Sequence, residues 1–188
     1  MQGSIKNNNV KGTTLIGMAV AVSIISLFAI IALPSFTSSE SYQIDRAAYG
    51  VIQALRFAQS EAKRTGEMYG IDINRATTQV TVYKVNISTN PVSQEFIATH
   101  PIDKNQYDYN IGNLLNLPNL TISNTEDIFL YKDSIRRNSL LFDDRGSPVW
   151  FDASTSKIVH LDNASIILNL GNQSQSVIID PYSGRVVY

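Results

Sequence analysis

Three patterns of apolar and polar positions divide the chain. From Leu15 to Leu33, nineteen residues pass without a charge. That is close to the 20 or so apolar residues an α-helix needs to cross a bilayer. Lys6 and Lys11 precede the run and Glu40 is the first charge after it. The positive-inside rule then holds the N-terminus in the cytoplasm and sends the rest across. A retained membrane anchor fits this length best. A discarded secretory signal, whose apolar region usually runs about 7–15 residues, and a buried core helix are the alternatives.

The second pattern is amphipathic. Ile44, Ala48, Val51, Leu55, Ala58 and Ala62 recur at three- and four-residue spacing, which is one face of an α-helix. Asp45, Arg56, Gln59 and Lys63 fall elsewhere on it. Lys63 and Arg64 suit the negative end of the helix dipole, and Gly66 suits a C-terminal stop. Pro34 kinks the helical span without having to end it. Thr13 to Arg64 is 52 positions (64 − 13 + 1), roughly 80 Å of nearly continuous helix at 1.5 Å per residue.

The third pattern is short and β-rich. "MYGIDIN", "TQVTVYKVN", "QEFIATH", "LTIS", "DIFLY", "SLLF", "PVWF", "SIILNL", "SVIID" and "GRVVY" are separated by Gly, Pro, Asn, Asp and Ser clusters, the punctuation of strands. "LLFDDRGSPVWF" predicts a hairpin around Asp143–Ser147, and "VIIDPYSGRVVY" predicts another around Asp180–Gly184. Residues 100 to 126 predict a long connection. The fold class is therefore α+β. A long N-terminal helix, its first half membrane-spanning, packs its second half on an antiparallel sheet of about six to nine strands in two layers.

Composition narrows the chemistry. There are no cysteines among 188 residues, which excludes disulfides, thiolate metal sites and cysteine nucleophiles. Net charge is −1, so electrostatics make no case for a general nucleic-acid binder. His100 and His160 stand alone, without a carboxylate cluster near them in sequence, and Asp143 and Asp144 lack the spacing of a calcium loop. No nucleophile elbow, His-Glu-x-x-His or phosphate loop is present. The sequence predicts no enzyme, cofactor or metal. Arg145 is expected to pair with Asp143 or Asp144 in its turn, and Lys132, Arg136 and Arg137 to form a solvated basic loop.

Three stretches resemble type IV pilin-like precursors, and within that class the GspH/FimT family of minor pilins and pseudopilins. They are "KGTTLIG…ALPSF", "VIQALRFAQSEAKRTGEMYGIDI", and the pair "LLFDDRGSPVW" with "IIDPYSGRVVY". Together they span about half the chain, and residues 75 to 135 match no pattern of the family. The resemblance implies a leader, 1–12, cut by a prepilin peptidase between Gly12 and Thr13, with Thr13 then N-methylated. It implies a membrane and filament-core helix over 13–38, and a periplasmic or extracellular pilin-like domain over 39–188. Pro34 becomes mature position 22 (34 − 12), where pilins commonly place a proline. The partners implied are other minor and major pilins, the inner membrane and the peptidase. The localisation implied is a single-pass inner-membrane protein that assembles into a filament.

The chain departs from the family at three places. Thr13 stands where phenylalanine is usual. Gly17, the fifth mature residue (17 − 12), stands where glutamate usually joins subunits. "GRVVY" carries one arginine, Arg185, where some DNA-uptake members have a Gly-Arg-x-Arg tail. Without the leader the chain has 13 basic residues (15 − 2) against 16 acidic ones, about −3, which disfavours phosphate binding. The function expected is a structural minor pilin that initiates or caps a type IV pilus, with Gly17 suiting a place at or near the tip. A pseudopilin of a type II secretion system and a DNA-receptor minor pilin using Arg185 are the alternatives.

Overall fold

A computed structural model describes residues 10–32, 34–100, 102, 104–123 and 127–188, with side chains from 15 to 28 and, among the residues described, from 40 onward. Two compact units, Met1–Ser39 and Glu40–Tyr188, divide it.

Two helices carry the helical patterns, α1 (Val10–Ala32) and α2 (Pro34–Thr65). Helix α1 opens ahead of Thr13. Pro34 is the first residue of α2, where its missing N–H would lack a helical partner anyway. Every residue from Leu15 to Phe28 is exposed. Among the described residues no helix is long and apolar enough to cross a membrane. Described side chains cover fourteen positions of the expected span (28 − 15 + 1), fewer than the 20 or so that a crossing needs.

The amphipathic face of α2 is buried as its periodicity predicts. Ile44, Ala48, Val51, Leu55, Ala58 and Ala62 are each at most 3% exposed, and Ala47, Ile52 and Ala54 widen the stripe. The small alanines let the helix lie close to the strands beneath. Gly66 ends it at φ +71°, its N–H donating to the Ala62 carbonyl at 3.0 Å, a left-handed cap that glycine takes without a Cβ penalty.

Twelve strands form one sheet: β1 (Tyr69–Asn74), β2 (Gln79–Asn86), β3 (Ser93–Ile97), β4 (Asp108–Asn110), β5 (Thr121–Ile122), β6 (Phe129–Tyr131), β7 (Arg136–Arg137), β8 (Ser139–Phe142), β9 (Pro148–Asp152), β10 (Lys157–Leu170), β11 (Gln173–Ile179) and β12 (Val186–Val187). Its main path runs β12-β11-β10-β9-β8-β1-β2-β3, and the pairings are antiparallel. Strand β10 links the parts. Its first residues pair with β9 and β6, and its second half pairs with β11 and β5.

Alternation along the strands sends side chains to two faces. Val80, Val82, Leu140 and Phe142 join the α2 stripe in the main core. Tyr83, Val85, Leu141 and Val149 form a second cluster. Gly70 in β1 makes room there, since a Cβ on it would meet the Tyr83 ring at 2.6 Å and Leu141 at 2.8 Å. Burial of that ring pushes the Tyr83 hydroxyl up to about 12.

Three expectations need correction. The sheet has twelve strands rather than six to nine. The connection over 100–126 carries β4 and the short helix α3 (Ile111–Leu114) ahead of β5, which falls in the expected "LTIS" run. Arg136 and Arg137 form β7, paired with β6, rather than a solvated loop. The strands without a sequence signal are short: β4 and β7 have three and two residues, too few to show period-two alternation.

Candidate functional site

The residues singled out in the sequence fall in two places. Gly12, Thr13 and Pro34 lie within α1 and α2, but their side chains are outside those described. Gly17 is described: a Cβ built on it would meet no atom within 4 Å. Around it Leu15, Ile16, Met18, Val20, Val22, Ile24, Ile25, Leu27 and Phe28 are at least half exposed. Ser23 and Ser26 turn their hydroxyls onto the carbonyls of Ala19 and Val22 at 2.8 Å, so neither offers the surface a free donor. An all-round apolar helix of this kind is normally covered. Among the described residues of its own unit, none covers these fourteen positions.

The second place is a junction on α2. The two quoted hairpins, β8–β9 and β11–β12, bring their turns together beside Gln59. Its side-chain amide donates to the Gly146 carbonyl at 2.8 Å and to the Ser183 carbonyl at 2.9 Å. Both turns meet the helix through glycine. Gly146 (φ +74°) sits where a Cβ would strike the Lys63 side chain, and Gly184 (φ +68°) where it would lie 2.6 Å from Gln59 Nε2 and 3.0 Å from the Gly146 carbonyl. The second and third of the stretches that resemble one family therefore meet in one contact, made by Gln59 with the carbonyls of Gly146 and Ser183. Sequence reading placed Gln59 only off the buried face. Its signal is an amide one helical turn before Lys63, recognisable only once both turns are known to dock there.

Each turn is held by an aspartate. Asp143 accepts the N–H groups of Arg145 at 3.1 Å and Ser147 at 2.7 Å. The expected ion pair with Arg145 is thus replaced by backbone donors. Asp180 accepts the N–H groups of Tyr182 and Ser183 and the Ser183 hydroxyl, which hold its carboxyl below the ordinary value. Arg185 contributes backbone to this turn: its carbonyl accepts from Asp180 N–H at 2.9 Å, and its side chain is exposed.

The remaining cations are engaged in the domain. Arg137 pairs with Asp133 at 2.7 Å and stacks 4.8 Å over Tyr131 and 4.7 Å over Trp150. Arg136 donates to the Asp127 carbonyl, and Lys132 lies 5.3 Å over the Tyr182 ring. His100 packs on Tyr107, and His160 sits in the β10 ladder opposite Val149. Among the described residues no three His, Cys, Asp or Glu side chains gather as metal ligands would.

No family model matches the chain, and no curated protein does. Two solved structures do, both crystal forms of the type IV minor pilin FimU of Pseudomonas aeruginosa strain PAO1. They share 13% identity with this chain, at TM-scores of 0.45 and 0.43. They cover 79% and 76% of this chain and 90% of their own.

Proposed function

We propose that the chain is a minor pilin, a structural subunit that initiates or caps a type IV pilus. One observation carries the reading: α1 presents apolar side chains on every side, while the domain after Glu40 has buried its own core. A subunit built this way is soluble only when something else takes the helix. A membrane takes it first, and the helices of neighbouring subunits take it next. The Lys11-Gly12 junction ahead of the run supports peptidase cleavage before Thr13 rather than removal of the run itself. Thr13 then carries the new amine and is the methylation site.

Gly17 supports a place at or near the tip. In the resembling proteins the carboxylate at this position pairs with the amine of the subunit ahead, and an unpaired charge in that apolar setting costs several kcal/mol. A subunit with glycine there leaves an amine ahead of it unpaired, unless none is ahead. Its own amine still serves the subunit behind. The pilus is preferred to a secretion pseudopilus on the "ALPSF" and "AQSEA" stretches. DNA is not favoured as a partner, because the balance without the leader is about −3 and Lys132, Arg136 and Arg137 are already engaged.

Mass spectrometry of the chain recovered from membranes tests the reading. The expected N-terminus is a methylated Thr13. An N-terminus just beyond Pro34 would mean a discarded signal and would overturn it.

A further inference from the structure

Beside α2, in the domain after Glu40, lies a concave site of about 420 Å³. That is within the usual range for a small-molecule pocket. Tyr49, Leu114 and Tyr188 line it and are 50%, 65% and 66% exposed. Its wall is preformed. Tyr109 donates its hydroxyl to the Gly50 carbonyl at 3.2 Å. Tyr109 packs on Tyr107 at 5.4 Å, and Tyr107 stacks on Phe57 at 5.0 Å and 11°. Burial pushes the Tyr109 hydroxyl up, so it remains a neutral donor and the ring stays pinned.

Gly50 is the informative residue. It lies mid-helix, where glycine weakens a helix relative to alanine. Packing within the chain does not require it, because a Cβ there would meet no atom within 4 Å. It lines the pocket, so a side chain would enter the open space. The cost of this glycine has a reason if that space is used.

We propose that this pocket binds a neutral saccharide. The C–H groups on the flat face of a pyranose carry slight positive charge and fit the negative face of an aromatic ring; Tyr49 and Tyr188 offer exposed rings. Sugar hydroxyls both donate and accept. The lining supplies an acceptor in Asp45, a donor in Arg46 and both in Gln53, all exposed at the pocket. The lining's one carboxylate side chain, Asp45, is matched by Arg46, and His100 is neutral in the formal charge at pH 7, which fits an uncharged ligand. A purely apolar occupant would strip water from these groups without replacing its hydrogen bonds. A nucleic-acid strand needs several cations along its path, and among the residues lining this pocket Arg46 is the one Lys or Arg. The proposal does not depend on how the N-terminus is processed.

The full chain, held in a phosphocholine detergent so that no sugar headgroup competes, is titrated calorimetrically with chitobiose, cellobiose, lactose and maltose. At least one is expected to bind with a Kd of about 1 mM or tighter. Gly50→Leu should fill the pocket and weaken that binding by about tenfold or more, with Tm not lowered. Tyr188→Ala, at an exposed position, should weaken it similarly and stands in if Gly50→Leu fails to fold. Phe96→Ala, an exposed aromatic on β3, should leave it unchanged. The proposal falls if none of the four sugars binds. It falls equally if folded Gly50→Leu or Tyr188→Ala binds as the parent does, or if an oligothymidylate or an apolar peptide competes the sugar away.

Discussion

Helices α1 and α2 both carry aliphatic residues, yet they solve the burial problem in opposite ways. In α2, from Ile44 to Ala62, the aliphatic positions occupy one face and are buried in the main core. In α1, from Leu15 to Phe28, apolar positions run around the helix and every one of these residues is exposed. Periodicity marks the difference. A stripe points to a partner on one side, supplied by the same chain. A full cylinder points to partners on all sides, which a chain of this size does not supply. Fold information therefore sits in α2, and assembly information in α1.

The sharpest way to break that comparison is to place the same charge in each helix. Leu55→Asp puts a carboxylate at a position of zero exposure in the main core. With no partner there, the loss is about 4 kcal/mol or more, a large share of the roughly 5–15 kcal/mol that holds a typical domain folded. Leu27→Asp puts it at a position 63% exposed. The domain should keep its near-ultraviolet circular dichroism and its Tm, while recovery of the chain in membranes falls. If both variants kept the Tm, α2 would not be part of the core. If both lost it, α1 would be as integral to the domain as α2.

A second contrast lies within α2, between its buried stripe and the junction at Gln59. The stripe is legible from spacing alone, as are the hairpins around Asp143–Ser147 and Asp180–Gly184, because each signal lies within a few residues. Gln59 is not, since its two acceptors are 87 and 124 positions away. The same limit hid β4, which pairs with β2, and the saccharide pocket. Its aromatic wall joins Phe57 on α2 to Tyr107 and Tyr109 in a segment that reads as a bare connection. The first residues of β10 were missed for another reason: "KIVHLDN" is largely polar or exposed and offers little apolar alternation.

Gly184→Ala tests the junction. The alanine must hold φ +68° and place its Cβ against Gln59 and the Gly146 carbonyl. A left-handed residue costs about 1–2 kcal/mol, and displacing the amide adds about 1 kcal/mol per lost hydrogen bond. The expected loss is about 2–3 kcal/mol by denaturant unfolding. Gln59→Ala, which loses the bonds without the strain, should cost about 2 kcal/mol. The two substitutions should be less than additive, since they remove the same contact. Full additivity would show that the two turns dock independently of Gln59.

The smallest effect separates the units by charge. Leu15 to Phe28 carries no ionisable side chain, so this segment contributes none to acid sensitivity. In the domain, Asp152 accepts the hydroxyls of Ser154 and Thr155 and the Ser154 N–H, and these hold its carboxyl down to about 2. A carboxyl depressed in the folded state contributes stability that is present above its unfolded value and lost as pH falls through the folded one. That window runs from about 4 down to about 2. Asp72 works in the other direction. Burial raises its carboxyl, only partly offset by the Ser139 hydroxyl, so its contribution favours the folded state at lower pH and declines as pH rises. Asp133 and Asp180 are also lowered, so depressed groups outnumber the raised one and the domain should lose stability on acidification. Asp152→Asn should make the fall in Tm shallower below about pH 4. Asp72→Asn should make the profile flatter just above it, with Tm at neutral pH unchanged or raised. A Tm profile from pH 2.5 to 7 that is the same for all three chains would show that these turn carboxylates do not set the acid limit.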